Sequence, residues 1–107
     1  YNNEQEGALS IVNLNSSNIP DSLINQCGTG GTGPCHVTVS SSGEYVFIAN
    51  YEGGSISCIL HNGDKVELLW KIQHEKNPSL NHFRQDNSHC HCVTLLHDER
   101  LLHVVDL

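Results

Sequence analysis

Two histidines and two cysteines alternate in His89-Cys90-His91-Cys92, with Arg84-Gln85 a few residues ahead of them. On a strand, residues two apart share a face, so the imidazoles point one way and the thiols the other. An ordinary imidazole, with a pKa of about 6.5, can take a proton from an attacking water at neutral pH. That makes His91 the leading candidate for a general base. Arg84 is the second catalytic candidate, because its planar, permanently charged fork suits a phosphate, a carboxylate or a developing oxyanion. Asn50, Gln85 and His89 could bind substrate oxygens through amide or ring donors. Each has a plainer reading beside it: His91 bonding to neighbouring backbone, Arg84 in a surface ion pair, Asn50 capping the turn that follows it.

Two other patterns carry less. His89 and His91 could be a pair of zinc ligands, but zinc takes three or four and the sequence places no third, so neither metal nor cofactor is expected. The glycines of 28–33 resemble a phosphate loop only superficially, since no GK[ST] follows and no helix opens after them. Glu52 offers a carboxylate that could serve as a base or stand as a solvated loop residue.

The elements that would position these groups are short β-like runs, with no helical period sustained beyond a turn. Strands are expected at 8–14, 35–40, 45–50, 55–60, 66–73, 90–96 and 100–107. Ser41-Ser42-Gly43-Glu44, Glu52-Gly53-Gly54 and His61-Asn62-Gly63-Asp64 supply the turn chemistry between the middle four, which gives an antiparallel meander. The chain also echoes itself. At an offset of 56 without gaps, Val37-Thr38-Val39 falls on Val93-Thr94-Leu95, Tyr45-Val46 on Leu101-Leu102, Ile48 on Val104 and Asn50 on Asp106. A period of about 50 residues points to four-stranded propeller blades; a β-sandwich is the alternative, though it does not predict an echo. Alternating strand direction brings Cys35, Asn50, Tyr51, Glu52, Arg84, Gln85, His89, His91 and Asp106 to one end of the meander.

Composition narrows the partners. A net charge of −7 with only 5 Lys and Arg leaves no basic stripe for nucleic acid or an anionic membrane surface. No apolar run approaches the roughly 20 residues that span a bilayer. The five cysteines, with no CxxC pair, favour a reducing compartment, and a cytoplasmic location is expected. Asn15-Ser16-Ser17 matches a glycosylation triplet, a weak signal on its own. With no methionine and an apolar stretch at its end, the chain reads as a fragment.

Two stretches carry a family resemblance. Gly33-Pro34-Cys35-His36-Val37 through Ala49-Asn50-Tyr51-Glu52-Gly53-Gly54-Ser55-Ile56-Ser57 resembles the GPCHV and VANYGGGSVS run of the lactonase-type seven-bladed propellers. Arg84-Gln85, His89-Cys90-His91-Cys92-Val93 and Val105-Asp106-Leu107 are similar to that family's RQ, HAHSV and ADLG elements, in the same order. Glu52 stands where the family usually has glycine, Glu99 where it has a turn glycine, and Cys92 where serine is common.

The resemblance implies an all-β, partial seven-bladed β-propeller over 1–107: the outer strand of one blade, one complete blade and two strands of the next. It implies a carboxylic ester hydrolase opening a sugar-acid lactone, 6-phosphogluconolactone by default, with His91 and Arg84 catalytic. A carboxymuconate cyclase, or a propeller that binds without catalysis, are the alternatives. A small-molecule lactone is the expected partner, the oligomeric state is left open, and the fragment alone is expected to be inactive.

Overall fold

The computed structural model describes residues 5–76 and 85–107. Eight strands run in chain order: β1 (Ala8–Leu14), β2 (Pro20–Gly28), β3 (Pro34–Val39), β4 (Tyr45–Asn50), β5 (Ser55–Asn62), β6 (Lys65–Gln73), β7 (Cys90–Leu95) and β8 (Leu102–Asp106). They form a two-stranded sheet β1-β2, a four-stranded meander β3-β4-β5-β6 and a two-stranded sheet β7-β8, with antiparallel pairing throughout. None of the described residues forms a helix long and apolar enough to cross a membrane.

The meander is held by what lies on its two faces. Along β4, Val46 and Ile48 join Ile59 in a cluster reaching Leu9 and Cys27 of the first sheet. Ala49 joins Ile56, Cys90 and Val93 in a second cluster, with Phe47, Leu102 and Val104 packed on it. Strand alternation thus sends successive β4 side chains to opposite neighbours, and both faces are buried, which is why β4 reads as a nearly continuous apolar run. Ile59 and Val93 are fully buried, each contributing about 1.5–3 kcal/mol of transfer free energy. Three sheets packed in series match propeller blades rather than the two layers of a sandwich.

The sequence echo is an echo of register. Pro34 pairs with Asn50, then β3 bulges at Cys35, and pairing resumes His36 with Ala49, Val37 with Ile48 and Val39 with Val46. Adding 56 to each gives Cys90 with Asp106, a bulge at His91, Cys92 with Val105, Val93 with Val104 and Leu95 with Leu102. The turns repeat as well: Gly43, with a φ of 79°, has its counterpart in Glu99, with a φ of 57°. Glu99 holds the left-handed conformation that the missing turn glycine would take.

The sequence reading has one strand ahead of the meander; the structure has two. β2 contains Pro20, Asp21, Ser22, Asn25 and Gln26, and five of its nine residues run exposed from its start, so it lacks the alternation that marks a half-buried strand. It is formed by pairing with β1 across the Asn15 turn, whose Oδ1 accepts from the backbone of Ser17 and Ile19.

Candidate functional site

The segment 51–54 that joins β4 to β5 is tied down from three sides. Tyr51 N donates to Gly33 O and Gly53 N to Thr32 O, while Gln73 Nε2 donates to the carbonyls of Gly53 and Gly54. Gly54 has a φ of 61°, and a Cβ there would collide with the carbonyl oxygen of Ser88, so only glycine lets the loop approach the entry to β7 this closely. The loop is a rigid platform for Tyr51.

On that platform three rings meet. The Tyr51 and His89 rings stack with centroids 4.5 Å apart, and His91 meets Tyr51 edge-on at 6.0 Å. His89 is held at both nitrogens: Nδ1 lies 3.0 Å from the Tyr51 carbonyl oxygen and Nε2 lies 3.1 Å from Asp86 Oδ1. This hydrogen bond holds the Asp86 carboxyl below its ordinary range. With both nitrogens within hydrogen-bonding distance of a partner and its side chain 12% exposed, His89 is fixed against Tyr51.

His91 is in the opposite condition. It is the extra residue of the β7 bulge, its side chain is exposed, and its carbonyl oxygen accepts from the Cys35 thiol at 3.3 Å. A bulge re-aims a side chain out of the regular ladder, which is what turns this imidazole toward Tyr51. His36 lies alongside on β3, its Nδ1 accepting from Val93 N and its Nε2 3.7 Å from Cys92 Sγ. These contacts join β3 to β7, the first strands of adjacent sheets.

The remaining candidates fall differently. Asn50 is completely buried; its Nδ2 donates to the hydroxyls of Ser55 and Ser57, and its Oδ1 has no hydrogen-bond partner among the described residues. It sits so close under Gly31 that a Cβ there would lie 2.6 Å from its amide, so this side chain braces the framework and does not reach solvent where a substrate would bind. Arg84 lies outside the described residues. Gln85 is half-buried beside Asp86. Glu52 is exposed, packed under Gly33, as a loop residue.

Sequence reasoning placed Tyr51 and Asp106 at this end without giving them a role, and missed Asp86 and His74 altogether. Asp106 accepts from His74 Nδ1 at 2.6 Å and from His89 N at 2.7 Å, with the Cys90 thiol 3.8 Å away. Burial, followed by the adjacent Asp106 carboxylate, pushes that thiol up to about 12. The spacing of Asp86 and His89 hinted at one pair; nothing in the sequence signals a contact between His74 and Asp106, 32 residues apart. A cleft of about 400 Å³ opens beside Pro34, Cys35 and His36 on the β3 side. A second, more polar hollow of about 370 Å³ is lined by Gly30, Gly31, Lys71 and Gln73, and neither hollow is lined by Tyr51, His89 or His91.

The chain resembles known proteins in sequence and in fold. A sequence profile of the family described as lactonase, 7-bladed β-propeller, matches residues 1–107. Uncharacterised proteins from several strains of Staphylococcus aureus are 33% identical over 90 residues, covering 79% of this chain and 26% of theirs. Among solved structures, a Bacteroides uniformis protein provisionally described as a 6-phosphogluconolactonase superposes with a TM-score of 0.76 at 28% identity, over 92% of this chain and 29% of that one. The chain therefore spans about a quarter of the relatives it matches. It is an all-β portion of a propeller, and it belongs to the seven-bladed β-propeller lactonase family.

Proposed function

We propose that the whole protein opens the ring of a sugar-acid lactone, with 6-phosphogluconolactone as its substrate and the pentose phosphate branch of carbohydrate metabolism as its setting. The observation that carries this reading is His91: an exposed imidazole ejected by a bulge beside a fixed aromatic ring, in a chain of the lactonase family. Water adds to the lactone carbonyl and His91 takes its proton. The ester C–O bond then breaks, the proton passes from His91 to the leaving alkoxide, and the new carboxylic acid releases its remaining proton to solvent, leaving a carboxylate and an alcohol. Arg84 and Gln85 precede this cluster in the chain, and we assign them the anionic part of the substrate and the oxyanion. His89 acts by holding Tyr51 against the site rather than by contacting the substrate oxygen.

The free thiols of all five cysteines support a cytoplasmic setting. The test is lactone hydrolysis by the full-length protein, wild type and His91→Ala, with a muconate-derived lactone assayed beside 6-phosphogluconolactone. Loss of a general base is expected to cost about 10²–10⁴-fold in kcat/KM. An unchanged rate removes His91 from the mechanism, and turnover of the muconate lactone alone selects the cyclase reading.

A further inference from the structure

Asn50 and Asp106 hold the same place in successive sheets, because the registers of the two pairs superpose at an offset of 56. The neutral side chain is surrounded by hydroxyls, those of Ser55 and Ser57. The acidic one is surrounded by an imidazole and a thiol. Asp106 Oδ2 lies 2.6 Å from His74 Nδ1 and 3.8 Å from Cys90 Sγ, and one ligand atom from each of the three residues falls within 4.8 Å of the other two. A position that braces one blade through neutral groups has become, in the next, a cluster of nitrogen, sulfur and carboxylate donors.

We propose that His74, Cys90 and Asp106 bind one borderline divalent cation, Zn²⁺ in particular, which clamps two adjacent blades. The donor set selects the metal: sulfur and imidazole suit zinc, whereas magnesium and calcium prefer oxygen alone. The ligands converge from two blades, His74 just past the end of β6 and Cys90 and Asp106 paired across β7 and β8.

The carboxylate is already aimed. Its Oδ1 accepts from His89 N at 2.7 Å, which leaves Oδ2 turned toward the other two ligands, as outer hydrogen bonds do at built metal sites. Cys90 is completely buried, and its thiol has no solvent to compete for it. Zinc bonds of about 2.0–2.3 Å at tetrahedral angles separate nitrogen and oxygen ligands by roughly 3.3 Å, so the His74–Asp106 pair opens by less than 1 Å on loading. His74 lies beyond the β6 ladder, tethered through its N to Gly54 O, and its ring can make that movement. On binding, the Zn–S bond forms as the thiol proton leaves to solvent, with no change of oxidation state. Water or a donor outside this chain takes the fourth position.

The experiment is equilibrium dialysis of the full-length protein against Zn²⁺, with Co²⁺ as a spectroscopic probe. One equivalent of zinc is expected, together with a near-ultraviolet thiolate-to-cobalt absorption band. Cys90→Ala, which removes a direct ligand, should abolish the band and weaken zinc binding by more than the roughly 10–100-fold that loss of an outer-shell partner costs. Asp106→Asn, which keeps an oxygen for His89 N and so preserves the local fold, should weaken binding without moving the circular dichroism spectrum. Absence of zinc and of the cobalt band in the wild type overturns the site, leaving the three groups as a hydrogen-bonded knot between blades. A band or affinity that persists undiminished in Cys90→Ala overturns it too.

Discussion

The Tyr51 and His89 rings stack 4.5 Å apart, and the same histidine donates from Nδ1 to the Tyr51 main-chain carbonyl oxygen at 3.0 Å. One side chain therefore fixes both the ring and the backbone of the residue that faces His91. Tyr51→Phe keeps the stack and the carbonyl and is expected to be nearly neutral. Tyr51→Ala keeps only the carbonyl and should lower stability by about 1 kcal/mol, the worth of an aromatic pair. Urea unfolding of the full-length protein separates the two, and equal losses in both variants would mean that the phenol hydroxyl, not the stack, matters.

Asn50 gives two hydrogen bonds to buried hydroxyls and leaves its own Oδ1 without a partner among the described residues. Asn50→Ala loses about 1 kcal/mol per bond and opens a small cavity, but it also removes the unsatisfied oxygen, so a net loss of about 1–3 kcal/mol is expected. The KM for lactone should stay within about twofold, since a buried framework residue that makes no contact with the substrate leaves ground-state binding unchanged. A large rise in KM with unchanged stability would return Asn50 to the substrate.

Glu99 combines a cost and a gain. Its φ of 57° is left-handed, which costs a residue with a Cβ about 1–2 kcal/mol. Its Oε1 meanwhile accepts from Ser41 N at 2.5 Å, joining the equivalent turns of two blades. Glu99→Gly relieves the strain as it loses the bond and should fall within about 1 kcal/mol of wild type. Glu99→Ala keeps the strain without the bond and should be about 1–2 kcal/mol less stable. Denaturant midpoints that rank alanine above glycine would contradict this account.

Asp86 supplies a pH dependence. Its folded-state pKa is depressed from the ordinary 3.8, chiefly by the hydrogen bond from His89, so the native state holds this proton less tightly than the unfolded chain. The resulting stability is present above the unfolded value and disappears as pH falls through the lower folded value. The carboxylate is fully exposed, so the effect is small. Asp86→Asn should be slightly less stable than wild type at neutral pH and indistinguishable from it in acid; a constant difference across that range would assign the loss to packing.

The sequence by itself determined the meander and its repeat. Alternation of apolar residues is a local property, and Asn50 and Asp106 share a register position because the same spacing of strand, turn and bulge recurs. That Glu99 replaces a turn glycine was legible from the family resemblance, but its left-handed conformation came only from the structure. The polar strand β2 was not, because its pairing with β1 rather than its own pattern makes it a strand. The order HxH after Arg84-Gln85 pointed, through the family resemblance, to the candidate site, yet only tertiary structure separated the two histidines. His89 is locked between Tyr51 and Asp86, His91 is thrown out by the bulge, and Asn50 is sealed beneath Gly31. Those fates depend on which groups of other blades lie within hydrogen-bonding distance, and residues as far apart as His74 and Asp106 meet only when the sheets pack face to face.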